Sequence, residues 1–99
     1  MHITKEHIIS SLKKDKPLLQ NEMGVKNLAL FGSYANNSQR EDSDIDFLIE
    51  LKEISYTYLF KTYAFLEKKF PGKKIQLTRK GPHLSKKFLK TIEKDLIYV

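Results

Sequence analysis

Ninety-nine residues with 40% apolar side chains suffice for one small core and a single domain, residues 1–99. The absence of cysteine excludes a disulfide framework and a thiolate metal site; with no signal-peptide core in MHITKEH and no stretch of membrane-span length, a cytoplasmic chain off the membrane is expected. A formal net charge of +6 attracts phosphate polyanions or an acidic partner, but no RNA-recognition sequence, zinc-finger spacing or aromatic-interleaved basic patch accompanies it, so direct nucleic-acid binding is not expected.

Thr4 is placed to cap a first helix, with Ile8, Ile9 and Leu12 along one side and Lys13 and Lys14 near its end, where cations suit the macrodipole. His2, His7 and His83 have no helical metal-ligand spacing with one another and read as surface residues. Pro17 suits the first turn of a second short helix, LLQNEM, which Gly24 can terminate. Residues 25–31 form the first predicted strand; its run Leu28-Ala29-Leu30-Phe31 lacks alternation, as in a strand covered on both faces. Gly32-Ser33 then opens a tight turn with a short helical segment, and Asp44-Ile45-Asp46 begins a second strand that reaches Leu51. Residues 55–70 read as a long helix with Leu59, Tyr63, Leu66 and Phe70 on its inner face. Its further aromatics, Tyr56, Tyr58, Phe60 and Phe65, exceed what one face needs, leaving some to stack on an adenine or meet a partner chain. Pro71-Gly72 ends this helix and residues 73–78 make a third strand. After Gly81-Pro82, a last helix carries Leu84, Phe88, Ile92 and Leu96 at i, i+4 spacing.

The chemistry concentrates between Gly32 and Asp46. In a strand, residues two apart point to one face, so Asp44 and Asp46 face one way while Ile45, Phe47 and Ile49 face the other. Two carboxylates held this close repel unless a cation sits between them, and an all-oxygen pair suits Mg²⁺ or Mn²⁺ together with substrate phosphates. Gly32 lets the backbone approach a ligand closely, amides at a turn entering a helix bind anions, and Ser33 adds a hydroxyl. Acid pair and phosphate turn together read as a metal–nucleotide site.

At Gly32-Ser33, residues 34–43 and Asp44-Ile45-Asp46 the sequence resembles the DNA polymerase β-like nucleotidyltransferase superfamily, whose signature is Gly-Ser, ten residues, then Asp-x-Asp. LALFGSYA, SDIDFLIE and the ending KTIEKDLIYV extend the resemblance over most of the chain, to the minimal nucleotidyltransferases. It implies an α/β (α+β) fold, a short mixed three- to four-stranded sheet with helices packed against it. It also implies transfer of an NMP, most commonly AMP, from ATP or another NTP to an acceptor. Asp44 and Asp46 would be the catalytic, metal-holding residues; Gly32 and Ser33 would bind the phosphates. Where such proteins commonly read GSYARG, this one reads GSYANN. Asn37 suits the glycine position because Asn visits the left-handed region readily. Asn36 removes a cation, which leaves Arg40 or a neighbouring lysine to face the phosphates.

The third strand departs from the family. An apolar-Asp-apolar triplet is usual there, and this chain has Ile75-Gln76-Leu77, with no acid anywhere in GKKIQLTRK. Gln76 can offer a carbonyl oxygen to a metal but is no general base. Glu50 lies on the face of the pair but four residues beyond Asp46, roughly 13 Å away at strand rise, too far to substitute. Two classes of function remain. In the first, a nucleotidyltransferase modifies a partner protein; the resemblance points to a helical HEPN-type ribonuclease toxin and an antitoxin role, since a chain this short has no room for template binding. In the alternative, an impaired nucleotide-binding module neutralises such a partner by contact. Either is compatible with a homodimer.

Overall fold

The computed structural model describes residues 3–99, so the surface assignment of His2 lies outside the described residues. The first helix, α1 (Lys5–Lys14), starts at the expected cap: the Thr4 hydroxyl accepts from the His7 amide at 3.1 Å. The second, α2 (Lys16–Glu22), carries Pro17 in its first turn and is followed by Gly24 in the left-handed region. Next come β1 (Val25–Phe31), α3 (Ser33–Asn36) and β2 (Ile45–Leu51), in the order that the spacing of Gly32-Ser33 and the acid pair predicts. The remaining elements are α4 (Tyr56–Lys69), β3 (Ile75–Arg79), α5 (Lys86–Glu93) and β4 (Ile97–Tyr98).

The four strands form one mixed sheet in the order β3-β2-β1-β4. β1 is antiparallel to both β2 and β4, whereas β2 and β3 are parallel. A parallel pair needs a long crossover, and α4 supplies it. The register sets the neighbours of Asp46: Phe31 lies opposite it on one side of β2, and Gln76 lies beside it on the other.

Apolar side chains cover both sheet faces. Leu28, Leu30, Ile45, Phe47, Ile49 and Ile75 form one cluster with Ile8, Leu12 and Leu19 of the first two helices and Leu66 and Phe70 from the crossover. Each such buried side chain contributes about 1.5–3 kcal/mol relative to exposure. Ala29, Phe31 and Leu48 point the opposite way and meet Ile92, with Phe88 standing edge-on to Phe31 at 6.1 Å between ring centroids. Coverage on both sides is why residues 28–31 show no alternation.

Several boundaries differ from the sequence expectation. The Ser85 hydroxyl caps α5 by accepting from the Phe88 amide at 3.0 Å, so Leu84 precedes the helix, and Leu96 follows a turn closed by the Asp95 amide on the Ile92 carbonyl. Both leucines still pack on the second cluster. The apolar spacing is real, but capping chemistry sets the ends. β3 starts two residues later than predicted and extends to Arg79. β4, which carries no turn signal of its own, forms because the edge of β1 offers partners at Ala29 and Leu30. On α4, Leu66 and Phe70 are buried and Leu59 and Tyr63 partly so, while Tyr56 and Phe60 are 78% and 72% exposed; these are the surplus aromatics.

Candidate active site

The turn after β1 is built around Gly32, at φ 77° and ψ −154°, a conformation essentially reserved for glycine. Space demands glycine too, because a Cβ there would run into the Oδ2 of Asp46. The Gly32 carbonyl accepts from the Ala35 and Asn36 amides at 3.1 and 3.2 Å, starting α3, while the amides of Ser33 and Tyr34 open the helix without intrahelical acceptors. Asn37 takes the left-handed conformation expected of it (φ 62°, ψ 26°), and the amides of Asn37 and Ser38 return to the Ser33 carbonyl. A short turn with free amides therefore closes directly onto a carboxylate.

Asp44 and Asp46 flank the fully buried Ile45 and are themselves partly exposed, on the sheet face away from the larger cluster. Burial, and then the charge of Asp44, push the Asp46 carboxyl above its ordinary range. Gln76 lies in register with Asp46 on the neighbouring strand, and its Nε2 donates to Asp44 Oδ2 at 3.2 Å. The amide turns its nitrogen, not its carbonyl, toward the pair, because an ionised carboxylate can only accept. Among the described residues no third His, Cys, Asp or Glu joins the two. Glu50 is engaged elsewhere. The Asn27 Nδ2 donates to it at 3.0 Å, which with nearby Lys26 and Lys80 holds its carboxyl below the usual range despite partial burial.

The structure brings Gly32, Asp44, Asp46 and Gln76 together, with Ser33 following Gly32 in the turn. Arg40 is different: its backbone is tied to Ser43 in both directions, but its exposed side chain makes no hydrogen bond or ion pair among the described residues. Asn36, at the family's arginine position, links α3 to Asp95 beyond α5 at 3.4 Å and accepts from the Ser38 amide at 3.0 Å. The cation docked on the turn's helix is Lys73, which sequence reasoning did not single out. It stands 5.8 Å from the centroid of the Tyr34 ring and donates to the Glu41 carbonyl at 2.8 Å. Nothing local distinguishes it from Lys74.

The donor set fits a hard divalent cation. Two carboxylate groups of adjacent position, one of them disfavoured as an anion by burial and by its neighbour, gain by sharing positive charge. The glycine turn and its free amides lie beside the acid pair at the start of β2. The family Polymerase beta, Nucleotidyltransferase matches residues 13–99.

The chain belongs to that nucleotidyltransferase family.

Among its relatives are two Methanocaldococcus jannaschii proteins provisionally named protein adenylyltransferase, MJ1379 and MJ0128. They are 39% and 41% identical to this nucleotidyltransferase over 98 and 97 residues, covering 97% of its length and 98% of theirs. Protein adenylyltransferase MntA of Thermococcus cleftensis is 31% identical over 97 residues, covering 98% of this chain and 97% of its own. A crystal structure of the toxin–antitoxin MntA–HpeT, in a doubly substituted form, shares the fold with a TM-score of 0.62 at 15% identity, covering 97% of this nucleotidyltransferase and 72% of that chain. No helix among the described residues is long and apolar enough to cross a membrane.

Proposed function

We propose that this nucleotidyltransferase, as one minimal domain in the cytoplasm, moves AMP from ATP to a hydroxyl of a helical HEPN-type partner and thereby acts as its antitoxin. The observation that carries the reading is the closure of the Gly32 turn onto Asp46, with Asp44 alongside. The names of relatives that align along nearly the whole chain support a protein acceptor.

In this mechanism the free amides after Gly32 and the Ser33 hydroxyl hold the β- and γ-phosphates. Asp44 and Asp46 would hold Mg²⁺ or Mn²⁺, which when bound supplies charge stabilisation at the triphosphate. The acceptor hydroxyl attacks the α-phosphorus, the bond to the bridging oxygen breaks, and pyrophosphate departs. Gln76 takes no proton, so the hydroxyl's proton passes to solvent and the chemical step is slow. The Gln76 amide instead orients Asp44. Arg40 remains a candidate phosphate contact in the bound state, reached from its exposed loop.

That same hydrogen bond favours a second reading, in which the chain binds nucleotide and silences its partner by contact alone. The deciding experiment co-purifies the chain with the product of the adjacent reading frame and adds α-labelled ATP with Mg²⁺ or with EDTA. Metal-dependent labelling of the partner, lost in Asp46→Asn, is the expected result. An unlabelled partner that is nonetheless neutralised in cells overturns the transfer reading and leaves contact inhibition.

A further inference from the structure

A groove of about 430 Å³ runs along one flank of α5. Its floor is apolar: Leu48 from β2, Leu89 from α5, and Leu96 and Tyr98 from the chain end. Tyr98 is 51% exposed, so this apolar floor is open to an incoming chain. Three lysines, Lys80, Lys86 and Lys90, line the rim against a single acid, Glu93. Lys86, Lys90 and Glu93 are spaced i, i+4 and i+7 and thus share one side of the helix. Phe88, on the opposite flank, meets Phe31 beside the Gly32 turn. Leu48 lies two residues beyond Asp46 on the same sheet face, about 7 Å along the strand. A chain in the groove is therefore held next to the acid pair without filling it.

We propose that this groove docks an acidic, amphipathic segment of the protein partner, with its apolar stripe on the floor and its carboxylates on the lysine rim. Charge and shape select this occupant. A phosphate backbone has no apolar surface to set on Leu89, Leu96 and Tyr98, and it would meet Glu93. A second copy carries the same net charge of +6 and is repelled at long range. An acidic segment meets three lysines that steer it in and an apolar floor that retains it. The inference rests on the protein-acceptor reading only for whose segment this is. Binding measured without nucleotide or metal keeps the two separable: its failure leaves the acid-pair reading standing, and an inactive acid pair leaves the groove standing.

The test uses the full chain and a fluorescein-labelled synthetic helix of roughly four turns, with leucines in one stripe and glutamates on its flanks. Counter-probes are the same helix with lysine for glutamate, and oligouridine. Fluorescence anisotropy at low salt should show binding of the acidic helix and not of the basic one. Lys86→Glu with Lys90→Glu should raise Kd by about tenfold or more. Lys61→Glu with Lys74→Glu, an equal change of net charge at exposed sites elsewhere, should change it by less than about twofold. Should the double reversal unfold the chain, Lys86→Gln with Lys90→Gln gives the same direction with a smaller loss. Equal weakening by both pairs of substitutions overturns the proposal, since bulk charge then explains the binding. Oligouridine binding that is sensitive to Lys86 and Lys90 while the acidic helix stays unbound overturns it for nucleic acid, and a dimer abolished by the same reversal overturns it for a second copy.

Discussion

Replacing Gly32 by alanine tests the closure of the turn onto the acid pair. Two separate penalties arise. At φ 77° and ψ −154° a side chain strains the backbone by about 1–3 kcal/mol. The new methyl also occupies the position of the Asp46 carboxylate, whose Cγ lies 3.2 Å from the ideal Cβ, and driving it aside costs a further ~1–3 kcal/mol. The sum, about 2–6 kcal/mol, is a large share of the roughly 5–15 kcal/mol that holds a domain together, and corresponds to a melting point lower by at least about 8 °C. A double-mutant cycle separates the parts. Asp46→Ala removes the carboxylate but leaves its Cβ, 3.3 Å away, and leaves the backbone strain untouched. In that background Gly32→Ala should cost only about 1–3 kcal/mol, so the coupling energy should be about 1–3 kcal/mol. Urea denaturation of the four proteins in EDTA measures it. Effects that add to within ~0.5 kcal/mol would show that the turn and the carboxylate do not touch, and the site as described would be wrong.

Two further substitutions probe the acids. Burial and Asp44 raise the Asp46 carboxyl above its ordinary value, so the folded chain holds that proton more tightly than the unfolded chain and loses stability as pH rises through the raised value. Asp46→Asn should therefore be the more stable protein at pH 7 in EDTA, with the advantage fading below about pH 4, where both states are protonated; thermal melts showing a less stable variant at pH 7 refute this. Gln76→Asp removes the donor to Asp44 and adds a third carboxylate beside Asp46, so it should melt lower than wild type in EDTA yet transfer AMP ~10²–10⁴-fold faster with Mg²⁺, at nearly unchanged ATP affinity. A variant no faster than wild type removes the assigned role of position 76.

What the sequence determined is what local chemistry controls. Thr4 caps its helix, Pro17 sits in a first turn, Asn37 takes the left-handed region, and period-two alternation puts Asp44 and Asp46 on one face opposite Ile45 and Phe47. The Gly-Ser and Asp-x-Asp spacing marked the candidate site because two short motifs at a set separation carry more information than either alone. The tertiary structure decided the rest. Only strand pairing presses Gly32 against Asp46, sets Gln76 beside it, and turns the glutamine amide onto a carboxylate 32 residues away. Lys73, rather than Lys74 or Arg40, docks on the turn's helix because the start of β3 lies over the loop at Glu41. The two-residue β4 exists because β1 has an edge to fill, and Tyr56 and Phe60 remain in solvent because the inner face of α4 is already occupied. Each of these outcomes depends on contacts between distant segments, and no local pattern of residue types encodes which distant partner a side chain will meet.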